Sequence, residues 1–173
     1  IEPAMPCRQC DQCISGRPHT CRKLRFLGCP DQADGCLSEY IVMPEDSCFP
    51  IEDSMTISQA ALSEPLAIGV YAVKQSISMK EAKIGILGSG PIGLSVLLCA
   101  IAQGAGKIYA TDKIVERCEL ARKAGAIWAG NPDSEDIVTE IIAREPLQLD
   151  VVFECCGEQE ALDQAIRLLR PGS

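Results

Sequence analysis

The chain has 173 residues, 47% of them apolar, and a formal net charge of -8, a composition that supports a buried core and excludes a disordered tail. It contains no run of about 18 uninterrupted apolar residues, and the opening "IEPAMPC" lacks the basic and apolar regions of a secretory signal, so neither a membrane span nor export is expected. The acidic balance repels a phosphate backbone and argues against a broad nucleic-acid surface.

In chain order, the first chemical signal is "CRQCDQCISGRPHTC", residues 7–21, which brings Cys7, Cys10, Cys13 and Cys21 into one short segment. A C-x2-C turn lets two sulfurs converge on one ion while backbone N–H groups point at them, and two further thiolates complete a tetrahedron. Four thiolates on Zn2+ carry an excess of negative charge that is costly to desolvate unless cations or N–H donors lie close. The segment from Ile1 to Arg25 meets that need, with Arg8, Arg17, Arg22, Lys23 and Arg25 against Glu2 and Asp11. Four sulfurs leave no open position, so the expected site is a structural zinc that holds a loop together. Two disulfides or four unrelated thiols are the alternatives; an odd total of eleven cysteines and the lack of an export signal favour free thiols in the cytoplasm. The remaining cysteines, Cys29, Cys36, Cys48, Cys99, Cys118, Cys155 and Cys156, are scattered and read as small hydrophobes. His19, the chain's one histidine, is expected to be exposed or to stand behind the ligands.

Next come "DGCLSEYIVMP" and "ALSEPLAIGVYAV". On residue chemistry alone Glu64, before Pro65, reads as a helix-start residue favoured by the dipole. The second chemical signal is "KIGILGSGPIGLSVLLCAIAQGAGKIYATD", residues 83–112. It predicts a buried strand, a turn, a helix with Pro91 near its first position and Gly104 beyond its end, and a second strand. A G-x-G-x-x-G between a strand and a helix is a dinucleotide signature. Gly88 permits the tight turn, Gly90 (with Ser89 and Pro91 beside it) lets a pyrophosphate approach the backbone, and Gly93 lets the helix pack on its strand. The helix N-terminus supplies N–H groups to the phosphates. Asp112, 24 residues after Gly88, can accept hydrogen bonds from both ribose hydroxyls or serve as a helix cap, and the two roles are compatible. It would repel a 2'-phosphate and so favours NAD, although Lys113 and Arg117 are cations close enough to accommodate that phosphate.

Beyond it, "ERCELARKAGA" predicts a helix, "IWA" a strand, "DSEDIVTEIIARE" a capped helix, "LDVVFECC" a fourth strand and "EQEALDQAIRLLR" a last helix. The alternation predicts an α/β fold with a parallel, doubly wound Rossmann sheet, of which four of the usual six strands are present. The chain begins with Ile1 and stops just past a helix-like run at "LLRPGS", so it is expected to be an internal piece of a longer protein.

Taken together, the cysteine lobe, "DGCLSEYIVMP", "ALSEPLAIGVYAV", "GSGPIG" and "VVFECCG" resemble the medium-chain zinc-containing alcohol and polyol dehydrogenases, and among them the sorbitol dehydrogenase-like branch. The resemblance implies a partial, β-rich GroES-like catalytic domain over residues 1–75 and a partial NAD-binding domain over 76–173. It implies an enzyme that moves hydride from a secondary alcohol, in a polyol, to NAD, that acts as a homo-oligomer, and that has no nucleic-acid or membrane partner. It implies a second, catalytic zinc in the intact enzyme with Glu64 among its ligands, Ile92 near the nicotinamide, and Asp112 with Arg117 at the adenosine ribose. The family's other catalytic ligands, a Cys and a His-Glu pair, precede the cysteine lobe, so the 173 residues alone are expected to be inactive. A non-catalytic zinc- and nucleotide-binding module, a sensor or regulatory subunit, is the alternative from a different class.

Overall fold

A computed structural model describes residues 1–172 and divides the chain into two compact units, Ile1–Thr56 and Ile57–Ser173. The first unit has little regular structure. Strands β1 (Ala4–Met5) and β2 (Arg25–Phe26) pair antiparallel, and between them lie a single-turn helix, α1 (Asp11–Ile14), and a 3-10 turn over Pro18–Thr20. Residues 34–44 form no strand, and Leu37, Tyr40 and Val42 are almost fully exposed. Its buried residues are Cys21 and Ser47, so this unit is not held together by an apolar core.

The second unit is built the opposite way. After α2 (Ile57–Ala61) and α3 (Ser63–Gln75), strands and helices alternate: β3 (Lys83–Leu87), α4 (Pro91–Ala102), β4 (Lys107–Thr111), α5 (Val115–Ala124), β5 (Trp128–Gly130), α6 (Ile137–Arg144), β6 (Val151–Glu154) and α7 (Gln159–Leu168). The four strands form one parallel sheet in the order β5-β4-β3-β6. Because successive strand residues face opposite sides, β3 feeds two cores. Ile84 and Ile86 pack with Ile108, Ala110, Val96, Leu97 and Ala100 on the α4 and α5 side. Leu87 packs with Tyr109, Ile137, Ile141, Leu149 and Leu168 on the α6 and α7 side. A strand buried on both faces must be apolar throughout, which "KIGIL" is after its first residue.

The compact unit that holds the sheet begins at Ile57, because α3 packs closely on α4. A Cβ on Gly69 would stand 2.7 Å from the backbone of Ser95, so only hydrogen separates the two helices there. The predicted helix over residues 133–145 starts at Ile137, since Asp136 caps it by accepting the N–H groups of Val138 (3.1 Å) and Thr139 (3.2 Å). Residues 131–135 instead close a turn through the carbonyl of Asn131. Trp128 on β5 carries the guanidinium of Arg144 5.1 Å from its ring centroid, a cation–π contact that ties the last turn of α6 to the sheet edge.

The lower edge of the sheet holds a buried ion cluster. Glu145, just after α6, has a side chain 3% exposed and accepts from Lys83 Nζ (2.5 Å), Lys107 Nζ (2.5 Å) and the Tyr109 hydroxyl (2.7 Å). Burial alone would raise its pKa. The bonds from Lys107, Lys83 and Tyr109 outweigh burial and hold it at about 2. Burial and the same carboxylate push the Tyr109 phenol well above its usual range. Since the folded pKa of Glu145 lies below the unfolded one, its stabilising contribution is full above the ordinary carboxylate range and is lost as pH falls toward about 2. The two lysines are partly solvated, at 32% and 49% side-chain exposure, so Glu145→Gln is expected to cost about 2 kcal/mol, below the full value of a wholly buried pair. Urea unfolding at neutral pH and at pH 3 measures this, and the gap between the two proteins narrows at the lower pH.

Candidate functional site

The four predicted cysteines meet in one pocket of the first unit. Cys7 follows β1, Cys10 and Cys13 lie at the start of α1 and within it, and Cys21 follows the Pro18–Thr20 turn. Their sulfurs all lie within 4.8 Å of one another. Cys10 Sγ is 3.6 Å from Cys13 Sγ and 3.9 Å from Cys21 Sγ, against about 3.8 Å for the edge of a tetrahedron whose metal–sulfur bonds are near 2.3 Å. Among the described residues this is the one group of three or more His, Cys, Asp or Glu side chains that could hold a metal.

Backbone donors set the charge of the pocket. The N–H groups of Cys7 (3.2 Å) and Lys23 (3.3 Å) point at Cys21 Sγ and lower its pKa. Those of Cys13 and Arg22 hold the Cys10 thiol at about 6, while burial and the neighbouring sulfurs push Cys13 up to about 12. The pocket therefore eases deprotonation at Cys10 and Cys21 and opposes it at Cys13. Arg22 pairs with Asp11 (2.6 Å) and Arg8 with Asp46 (2.7 Å), both in solvent. The donor set and spacing fit a four-coordinate, closed zinc site. His19 is exposed and takes no part in the cluster.

In the second unit the turn from β3 to α4 opens a cleft at the upper edge of the sheet. Gly88 has φ +96°, and a Cβ there would sit 3.0 Å from Cys155 and Cys156. A Cβ on Gly93 would lie 1.9 Å from the Gly88 carbonyl oxygen. Helix α4 starts at Pro91, and its N-cap, Gly90, makes no side-chain cap, so N–H groups of the first turn are left to a ligand or water. Ser89 is buried, its hydroxyl donating to the Thr111 carbonyl (3.0 Å). Asp112, 9% exposed at the end of β4, accepts from the Ser89 N–H through Oδ2 (2.9 Å) and from the Ile114 N–H through Oδ1 (2.9 Å). The N-cap of α5 is Ile114, so Asp112 is not that cap. It braces the glycine turn from the neighbouring strand and keeps spare acceptor capacity on both oxygens. Arg117 Nη1 stands 3.6 Å from Asp112 Oδ2.

The cleft has a volume of about 250 Å³. Gly88, Asp112, Lys113 and Arg117 line one side, and Cys156, Glu158, Glu160 and Gln164 the other. Of these, Glu158, Glu160 and Gln164 lie beyond the "VVFECCG" run, carry no motif of their own and were not singled out by reading the sequence. The signal that finds them is positional: in an open parallel sheet ligands bind beyond the carboxyl ends of the strands, and this group follows the end of β6. Ile92 lies exposed on the first turn of α4. Glu64 is exposed in the first turn of α3 and belongs to no group of three or more metal-binding side chains among the described residues.

With this geometry in place, comparison with known proteins is specific. Residues 1–53 match the alcohol dehydrogenase GroES-like domain and residues 91–173 the zinc-binding dehydrogenase domain. The chain is 36% identical to the sorbitol dehydrogenase of Bacillus subtilis over 99% of its own length and 49% of that protein's. It superposes on a zinc-binding dehydrogenase from Sinorhizobium meliloti bound to NADP with a TM-score of 0.89 at 32% identity, covering 99% of this chain and 50% of that one. An alcohol dehydrogenase from Escherichia coli complexed with NADH gives 0.88 at 27% identity, over 100% of this chain and 51% of the other. The chain thus spans about half the length of the relatives it matches. Among the described residues no helix is long and apolar enough to cross a membrane.

The turn geometry separates two glycines of one motif. Glycine to alanine inside a helix ordinarily gains up to about 1 kcal/mol. At Gly93 the clash is with backbone that cannot rotate away, so Gly93→Ala is expected to destabilise by about 2 kcal/mol or more. Gly90→Ala meets its nearest neighbour, Arg117 Nη1, at 3.7 Å and is expected to stay within about 0.5 kcal/mol of the parent. Urea midpoints of the two variants measure the contrast.

Proposed function

The chain belongs to the zinc-binding dehydrogenase family, and from that premise we propose that it is part of an NAD-dependent enzyme oxidising a secondary alcohol of a polyol. The observation that carries this reading is the carboxylate of Asp112, buried at the head of the cleft directly behind the glycine turn and hydrogen-bonded to it. Gly88, Ser89, Gly90 and Gly93 with the open end of α4 form the proposed phosphate site, Asp112 takes the adenosine ribose, and Ile92 packs near the nicotinamide. Cys7, Cys10, Cys13 and Cys21 hold a structural zinc. Glu64 is a ligand of the catalytic zinc in the whole protein, which acts as a cytoplasmic homo-oligomer. When bound, the nicotinamide accepts hydride and the catalytic zinc polarises the substrate oxygen.

The chain's own residues bind and orient. Asp112 holds the Ser89 N–H, which fixes the turn against the sheet, and its remaining lone pairs face the ribose hydroxyls. A 2'-phosphate in that position forfeits those hydrogen bonds and meets like charge, a difference on the order of 2 kcal/mol, or roughly thirtyfold. The structures it resembles hold both cofactor types, NADH in one and NADP in another, so the preference rests on Asp112. Because Glu64 joins no group of three or more metal-binding side chains among the described residues, we propose that these residues alone do not turn over alcohols. Sorbitol oxidation by the purified chain with zinc and NAD is expected at background.

Titration calorimetry tests the cofactor assignment: NAD is expected to bind tighter than NADP, and Asp112→Ser to narrow or reverse the order. Equal affinities in the parent chain would remove Asp112 from the ribose site. Metal analysis is expected to give one zinc per chain, lost in Cys10→Ser. Since Cys21 and Ser47 are the buried residues of Ile1–Thr56, removing zinc is expected to unfold that unit and leave the amide protection of the sheet unit intact.

A further inference from the structure

Around the cysteine pocket runs a chain of side-chain hydrogen bonds whose members are the sequence neighbours of the sulfurs. The Thr20 hydroxyl donates to Gln12 Oε1 (2.9 Å), and the Gln12 amide donates to Asp11 Oδ2 (2.8 Å). Arg22 closes the chain on Asp11 with two prongs, Nε to Oδ1 (2.6 Å) and Nη2 to Oδ2 (2.9 Å). Asp11 and Gln12 are the two residues between Cys10 and Cys13, while Thr20 and Arg22 stand on either side of Cys21. Cys21 is thus bracketed from both sides onto the other pair. The sulfurs lie accordingly, with Cys10 Sγ 3.6 Å from Cys13 Sγ and 3.9 Å from Cys21 Sγ. Two other arginines of the segment point elsewhere, Arg8 to Asp46 and Arg25 to the Gln32 carbonyl. An exposed ion pair ordinarily contributes little, because solvent screens it and two long side chains lose freedom; Arg22 and Asp11 are 67% and 56% exposed. This one differs in being bidentate, which makes the contact directional. It also lies in a unit whose buried residues are Cys21 and Ser47, so no apolar packing brings residues 10–13 and Cys21 together.

We propose that Thr20, Gln12, Asp11 and Arg22 form a clamp of positioning residues that holds Cys21 against Cys10 and Cys13 and sets how long zinc stays bound. This rests on the reading of the four cysteines as a structural zinc site. Ligands already held near the spacing of the metal lose less freedom on binding it, and a sulfur that lets go is kept close enough to rebind. Charge compensation is carried separately, by the backbone N–H groups of Cys7 and Lys23 on Cys21 Sγ. The clamp therefore acts through geometry, and substitutions of its side chains leave those backbone donors in place.

The test follows transfer of zinc from the loaded 173-residue chain to a chromogenic chelator at low and high salt, while X-ray absorption at the zinc edge counts the sulfur ligands. Four proteins are compared: the parent, Arg22→Gln, Asp11→Arg, and the double variant Asp11→Arg with Arg22→Asp, which swaps the charges and leaves their sum unchanged. Each single variant is expected to release zinc about fivefold faster, less than the loss of a buried ligand partner because the pair is exposed. The swapped pair is expected to return to within about twofold of the parent, the non-additivity that marks a direct interaction. High salt narrows the gap between parent and Arg22→Gln, and all four proteins keep four sulfurs on zinc. Release from both single variants within about twofold of the parent would make the contact an ordinary surface pair and overturn the proposal, leaving the zinc reading intact. A swapped pair as fast as the single variants, or a variant with fewer than four sulfurs, would overturn it also, since the residues would then act in building the lobe and not as a pair. If the parent takes up no zinc, the zinc reading falls and the proposal falls with it.

Discussion

The sheet unit depends on one contact between two backbones. At the crossing of β3 and α4 the Gly88 carbonyl oxygen approaches Gly93 so closely that a Cβ would lie 1.9 Å from it. A side chain at Gly93 would push the helix off the strand and turn its first N–H groups away from the sheet edge, while one at Gly88 would meet Cys155 and Cys156 instead. With both absent, α4 starts directly above the end of β3, and its unsatisfied donors face the same opening as the ends of β4 and β6. Asp112 then locks the arrangement from the next strand through the Ser89 N–H. Steric permission and hydrogen bonding act in sequence: glycine allows the approach, and the carboxylate fixes it.

The two units solve the problem of stability in different ways. The sheet unit buries two apolar layers and satisfies its most costly buried charge, Glu145, with two lysines and a tyrosine. The cysteine unit buries almost nothing apolar and concentrates its order around four sulfurs aimed at one point. A segment of that size without a core calls for a cross-link or an ion, and the sulfur spacing suits an ion. The backbone donors on Cys10 and Cys21 lower the cost of deprotonation that metal binding demands.

Much of this was legible in the sequence, and the reasons are local. "KIGIL", "GSGPIG" and "KIYATD" specify a buried strand, a turn and a second strand within thirty residues, where period, punctuation and glycine geometry agree. The cysteine spacing is equally local, and the four sulfurs converge as it predicts. What the sequence left out is long-range. The far wall of the cleft, Glu158 and Glu160, comes from a helix about seventy residues after the turn, and nothing in its composition marks it. The start of α6 moved because an aspartate inside the predicted run, Asp136, took the cap, a competition among neighbouring acids that periodicity does not resolve. The docking of α3 on α4 was not legible either, because Gly69, silent in sequence, is what permits it.

The placement of Trp128 has a practical consequence. It is the chain's single tryptophan, and it lies on the edge strand of the sheet unit beneath the guanidinium of Arg144. Indole emission therefore reports that unit alone, while the cysteine unit, with no indole of its own, is visible through thiolate-to-metal absorption when a coloured ion such as cobalt replaces zinc. Two optical channels in one cuvette follow the two halves of the chain independently. Because the cation over the indole belongs to the last turn of α6, a change in the emission is expected when that turn frays.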